Sequence, residues 1–204
     1  MSFARGRHVW MLLAMAAVAV GLVALLVPRG TPAPPDALIY LGRATALVAE
    51  WSMFLTILSA ADVGGVSRLF GCSFRTVHYA VAITGLVAMA IHPVVVAVRL
   101  GTGEVFLPVV SSWGGFWENG GRVALYLFVL VAALPVLRRR PGRLGMLGRR
   151  WRAVHLLAYP ALLLAAVHGT AIGRTHHLLG LRLASGAMAL AALGVLLRRR
   201  MKRG

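Results

Sequence analysis

The chain has a single cysteine, Cys72, and only five acidic residues. One cysteine excludes an intramolecular disulfide, a C-x-x-C redox pair and a zinc site built from four thiolates. No G-x-G-x-x-G fingerprint occurs, so there is no readable loop for a nicotinamide or flavin dinucleotide. Long polar stretches are also lacking, which leaves no room for a soluble catalytic domain. What fills the 204 residues instead is hydrophobic: 59% of the side chains, with a mean hydropathy of +0.81. That composition defines a membrane protein.

A bilayer takes about 20 helical residues to cross. Six apolar runs meet or approach that length, at roughly 9–27, 37–60, 76–99, 121–137, 153–172 and 180–197. The expected fold is all-α: a six-transmembrane-helix bundle forming one domain, 1–204. The first run follows Arg5 and Arg7 and could pass for a signal peptide. It is longer than a signal core and no A-x-A site follows it, so it is read as an uncleaved span. The Pro-rich PRGTPAPPD after it cannot continue a helix.

The formal net charge of +17 would suggest nucleic acid in a soluble protein, but its placement does not. Sixteen of the 22 Lys and Arg fall on one side of the six-span arrangement: Arg5, Arg7, Arg68, Arg75, seven between Arg138 and Arg152, and five between Arg198 and Arg203. Arg29, Arg99, Arg122, Arg174 and Arg182 fall on the other, with Arg43 just inside the second span. Both termini are therefore expected in the cytoplasm, with no nucleic-acid partner and anionic membrane lipid drawn to the basic tail.

Within the second span, Arg43 and Glu50 are seven residues apart and share a helical face. Arg43 reads as a snorkelling side chain. Glu50 falls near mid-membrane, where a carboxylate must be paired or protonated, and it serves either a helix–helix hydrogen bond or proton movement. The outer segment GTGEVFLPVVSSWGGFWENGG carries Phe106, Trp113, Phe116 and Trp117 among Gly, Ser, Glu104 and Glu118, which reads as a segment at the membrane interface, with a lid over an outer cofactor as the sharper alternative. His176 and His177 fall in a short outer turn and read as solvated, with metal or substrate contact as the sharper alternative.

Four other histidines fall inside apolar spans, where a polar ring needs a partner. His78 and His92 lie on FRTVHYAVAITGLVAMAIHP, and His155 and His168 on WRAVHLLAYPALLLAAVHG. At 1.5 Å per residue the separations are about 21 Å and 19.5 Å. The two spans run the same way, so His78 is level with His155 and His92 with His168. Two imidazoles per level match the two axial ligands of a six-coordinate haem iron, twice over; the plainer alternative is that each histidine hydrogen-bonds a neighbouring helix with no metal present. C-x-x-C-H is absent, so such haems are non-covalent and b-type. Zinc wants three or four ligands and fits less well. Phase agrees on one helix only: fourteen steps of about 100° return His92 to within roughly 40° of His78, whereas thirteen leave His155 and His168 about 140° apart. Pro160 lies between the latter two and is expected to kink or reset that helix.

In these residues the chain resembles the ferric reductase-like transmembrane domain shared by ferric reductases and NADPH oxidases. That family carries H-x13-H on its third helix and H-x12-H on its fifth, and often a basic residue with Phe-Gly or Leu-Gly before the first histidine, as in SRLFGCSFRTVH. The resemblance covers about 37–198. It implies that His78 and His155 ligate an inner haem b and His92 and His168 an outer one. It implies an oxidoreductase that passes electrons from a cytoplasmic-side donor, a flavoprotein or quinol, to an outer-face acceptor such as ferric iron, oxygen or a soluble redox protein. It also offers Arg75, Arg122 and Arg152 as candidates near haem propionates; each equally fits a helix-end anchor. Full-length members continue into a flavin and nicotinamide domain, which this sequence lacks through Gly204, so any flavin is expected on a partner. Stand-alone relatives of this size include the haem subunit of the bacterial periplasmic methionine sulfoxide reductase system. The expected location is the plasma (inner) membrane, multi-pass. Rivals of another class are a haem-binding sensor or assembly protein and a small proton-coupled transporter using Glu50.

Overall fold

Asp36 begins the first described helix. Its backbone is extended and its carboxylate accepts from the Leu38 amide at 2.9 Å, satisfying one of the open donors at a helix start. The computed structural model describes residues 36–60, 63–109, 112–138, 151–172 and 179–201. The apolar run at 9–27, the basic loop from Arg139 to Arg150, the side chain of Arg152, and His176 with His177 lie outside the described residues. Among the described residues the regular structure is entirely helical. Four helices are long and apolar enough to cross a bilayer: Ala37–Ser59, Phe74–Leu100, Trp113–Val136 and Ala153–Ile172. A shorter apolar stretch runs over Arg182–Leu197. The chain is thus a multi-pass membrane protein. The described residues fall into two compact units, divided between Val105 and Phe106.

The first unit holds α1 (Ala37–Ser59), a short α2 (Val63–Phe70) and α3 (Phe74–Leu100). Ser73 caps α3 by accepting from the Thr76 amide at 3.2 Å, and Gly101 closes it in the left-handed region at φ 66°. Buried residues on α3 are Val77, Val81, Gly85, Ala88 and Val95, a stripe with helical spacing that packs against α1. Ile83, Val87, Val94 and Val98 are exposed on the rest of the helix, as suits a lipid-facing surface. The two helices close on each other at Gly85. A Cβ there would come within 2.7 Å of Met53 Cε and 2.9 Å of Ser52 Cβ, so a hydrogen is the only substituent the contact admits without movement. Asp36 and Arg99, 3.6 Å apart, tie the start of α1 to the end of α3.

The second unit holds α4 (Trp113–Arg138), α5 (Trp151–His155), α6 (Ala158–Ile172) and α7 (Leu179–Met201). The span expected at 121–137 begins earlier, at Trp113, so Trp113, Phe116, Trp117 and Glu118 lie on helical turns. Four glycines made this stretch read as irregular, since Gly is a poor helix former. Ser112 offsets that: its hydroxyl accepts from the Gly115 amide and its carbonyl from the Phe116 amide, each at 3.0 Å. An Arg122–Glu118 ion pair at 3.1 Å bridges one turn. Asn119 clips the preceding segment to the helix, accepting from the Val109 amide at 3.0 Å and donating to the Val109 carbonyl at 2.6 Å. The Tyr126 hydroxyl donates to the Phe106 carbonyl farther along.

The fifth expected span, 153–172, is broken at Leu156 and Leu157. Pro160 has no amide to offer the Leu156 carbonyl, and its ring crowds that oxygen. The Leu156 carbonyl accepts instead from Tyr159, at 3.1 Å, while Leu156 and Leu157 donate to the carbonyls three residues back, at 3.1 and 3.0 Å. The helix is therefore reset by a tight 3₁₀-like turn between its two histidines.

Candidate functional site

Each unit places two of the four histidines on one helical rod. His78 is in the second turn of α3 and His92 near its far end; His155 closes α5 and His168 lies in the last turns of α6. All four rings are part-buried. The same local arrangements recur in the two units.

His78 and His155 each carry an aromatic ring one turn earlier. Phe74 and His78 have ring centroids 5.1 Å apart, and Trp151 and His155 have them 5.8 Å apart. Four residues separate the partners in both cases, the spacing that brings side chains together on a helix face. The Nδ1 atoms of His78 and His155 are both buried.

His92 and His168 are held differently. His92 Nδ1 lies 2.8 Å from the Gly42 carbonyl, on α1, and His168 Nδ1 lies 3.3 Å from the Trp117 carbonyl, on α4. A carbonyl only accepts, so Nδ1–H donates in both rings and the lone pair of the neutral imidazole falls on Nε2. Metal-ligating histidines are oriented by the same kind of bond. The acceptors stand 50 and 51 residues before their histidines, each in the second turn of the preceding long helix. The bare backbone at Gly121 lies against the His168 ring, whereas a Cβ on Gly42 would meet only Val95 Cγ1 within 4 Å, at 3.5 Å.

The turn at Leu156–Leu157 bears on the phase mismatch seen in the sequence. A 3₁₀ step turns about 120° and an α step about 100°, so three such steps add roughly 60°. The offset between His155 and His168 falls from about 140° to about 80° on this reckoning. The larger rise, about 2.0 Å against 1.5 Å, lengthens the gap by about 1.5 Å to about 21 Å, the separation expected for His78 and His92.

Other candidate residues take defined places. Arg122 donates to Asn119 at 3.0 Å and to Glu118 at 3.1 Å, so part of its guanidinium is engaged within α4. Arg75 is exposed on the first turn of α3. Both terminal nitrogens of Arg43 are buried, as is Glu50 Oε1, so Arg43 does more than reach for the surface. Among the described residues no group of three or more His, Cys, Asp or Glu comes together. Sequence reasoning missed the carbonyls of Gly42 and Trp117 and the seat at Gly121. Backbone acceptors leave no residue-type signature, and Gly121 stood among glycines read as loop.

No family model matches the chain, and neither a curated protein nor a solved structure proves similar to it.

Proposed function

We propose that this protein moves single electrons outward across a plasma membrane, with two b-type haems ligated by His78 and His155 on the inner side and by His92 and His168 on the outer side. The observation that carries the reading is the pair of Nδ1–H bonds from His92 and His168 to backbone carbonyls, which puts a lone pair on each Nε2. Neutral imidazoles with the lone pair on Nε2, as at His92 and His168, fit haem iron, and the reset at Pro160 favours the reading further by easing the phase mismatch.

Haem supplies the one-electron couple. The chain's residues do the rest. The carbonyls of Gly42 and Trp117 hold two rings in one tautomer, and donation through Nδ1–H strengthens Nε2 as a ligand. Phe74 and Trp151 restrict the other two rings. The apolar helix faces exclude water. With the inside negative, each electron crossing outward gains about 2.3 kcal/mol per 100 mV. Electrons enter from a cytoplasmic-side flavoprotein or quinol and leave to ferric iron, oxygen or a soluble redox protein. This is the behaviour of a ferric reductase-like component, or of a membrane haem subunit serving a periplasmic reductase.

The test is a reduced-minus-oxidised spectrum of the purified protein with haem quantified per chain, repeated for His78→Ala, His92→Ala, His155→Ala and His168→Ala. The expected result is two b haems, each lost when either ligand of its level is removed. Absence of haem after haem-sufficient expression would end the reading in favour of proton-coupled transport.

A further inference from the structure

Two successive glycines on α4, Gly120 and Gly121, have very different surroundings. A Cβ on Gly120 would meet the Leu164 carbonyl oxygen at 3.5 Å and His168 Cβ at 3.8 Å, both ordinary contacts. A Cβ on Gly121 would lie 2.8 Å from His168 Nδ1 and 2.9 Å from both Cδ2 and Cε1. Three ring atoms on different sides of the imidazole are nearly equidistant from that point. The added carbon would therefore lie over the face of the ring. The His168 imidazole rests flat against the bare backbone at Gly121, while its Nδ1–H edge is bonded to the Trp117 carbonyl one turn earlier.

One turn of α4 thus fixes the ring twice, by its edge and by its face. The edge bond sets the tautomer but leaves the ring able to swing about the hydrogen bond. Contact with the face removes that freedom. We propose that Gly121 is a positioning residue that sets the plane in which His168 presents Nε2 to the outer haem iron. This rests on the haem reading above and adds to it a determinant of ligand orientation. A methyl group at this position must push aside the ring itself, because the backbone of α4 cannot yield within a helix. Ligation at the outer level is then lost or tilted, while the inner level, whose ligands are His78 and His155, is untouched.

The test uses the full chain, purified as wild type, Gly120→Ala, Gly121→Ala, His168→Ala and the double variant Gly121→Ala/His168→Ala. Haem per chain and the low-temperature spin-resonance signals of ferric haem are measured, since low-spin signals respond to the planes of the axial rings. Gly120→Ala is expected to match wild type. Gly121→Ala is expected to shift or lose one low-spin signal and to lower haem from two per chain toward one. The surviving inner signal reports that the variant is folded. In the His168→Ala background, where the ring is gone, Gly121→Ala is expected to change nothing further. If Gly121→Ala does not accumulate, its recovery in the double variant supports the proposal and continued failure overturns it. Both signals unchanged in Gly121→Ala, or equal effects from the two glycines, would also overturn it. A wild type without haem refutes the parent reading, and this proposal with it.

Discussion

Replacing Pro160 with alanine should separate stability from cofactor binding. In Pro160→Ala the Leu156 carbonyl regains an amide partner four residues on, and the three short-range bonds at 156, 157 and 159 lose their cause. Leu, Ala and Tyr then favour one continuous α-helix through α5 and α6. Proline inside a helix costs about 3 kcal/mol, but here it stands in the first turn of α6, where its missing amide is tolerated. Compared haem-free with haem-free wild type, the variant should therefore melt at the wild-type temperature or above, gaining somewhere from 0 to about 3 kcal/mol. The geometry changes more. Unwinding the tight turn removes roughly 60° of rotation and about 1.5 Å of rise between His155 and His168. For side chains about 5–6 Å from the helix axis, that rotation displaces one ring relative to the other by about 5–6 Å. Metal–ligand distances tolerate only a few tenths of an ångström, on the order of 0.2 Å. If the protein holds the two haems proposed, haem per chain should fall from two toward one while helicity, read by circular dichroism, holds or rises slightly. If the variant binds both haems with unchanged spectra, the tight turn does not set the register of the histidines, and the phase account is wrong.

Two further outcomes follow from packing and loop geometry. Gly85→Ala should destabilise the first unit by about 1–3 kcal/mol through overpacking against Met53 and Ser52, whereas Gly42→Ala, whose Cβ would meet Val95 Cγ1 at 3.5 Å, should be close to neutral; thermal unfolding in detergent ranks them, and an equal loss at both positions would contradict the close approach at Gly85. Asn119→Ala removes both bonds to Val109, worth together about 1–3 kcal/mol. Hydrogen exchange at the Val109 amide should accelerate by roughly 5- to 100-fold as that segment opens locally, and unchanged exchange would show that Asn119 does not hold it.

Four of the six expected spans, those at 37–60, 76–99, 121–137 and 153–172, were legible in the sequence because bilayer thickness fixes a length and hydrocarbon fixes a composition. Residues 76–99 were expected as a helix, and Phe74–Leu100 is one. The same logic failed at Trp113–Gly121, where glycine and polar residues outweighed the capping hydroxyl of Ser112 and the Glu118–Arg122 pair. Pro160 announced a disturbance, and it falls at Leu156–Leu157. The histidines themselves stood out by their rarity in apolar runs. How they are held did not, since the acceptors for His92 and His168 come from helices about fifty residues away.

Those two acceptors have a consequence for how the protein tolerates change. A side-chain partner can be deleted by one substitution, but a main-chain carbonyl is present whatever residue occupies the position. Position 117 can lose its indole and position 42 can gain a methyl group, and each still offers the oxygen that holds its histidine. The tautomer of His92 and His168 is thereby insulated from point mutation of its partners. Vulnerability shifts to whatever decides how near the helices come, so the residues whose replacement does most harm are the smallest ones between them.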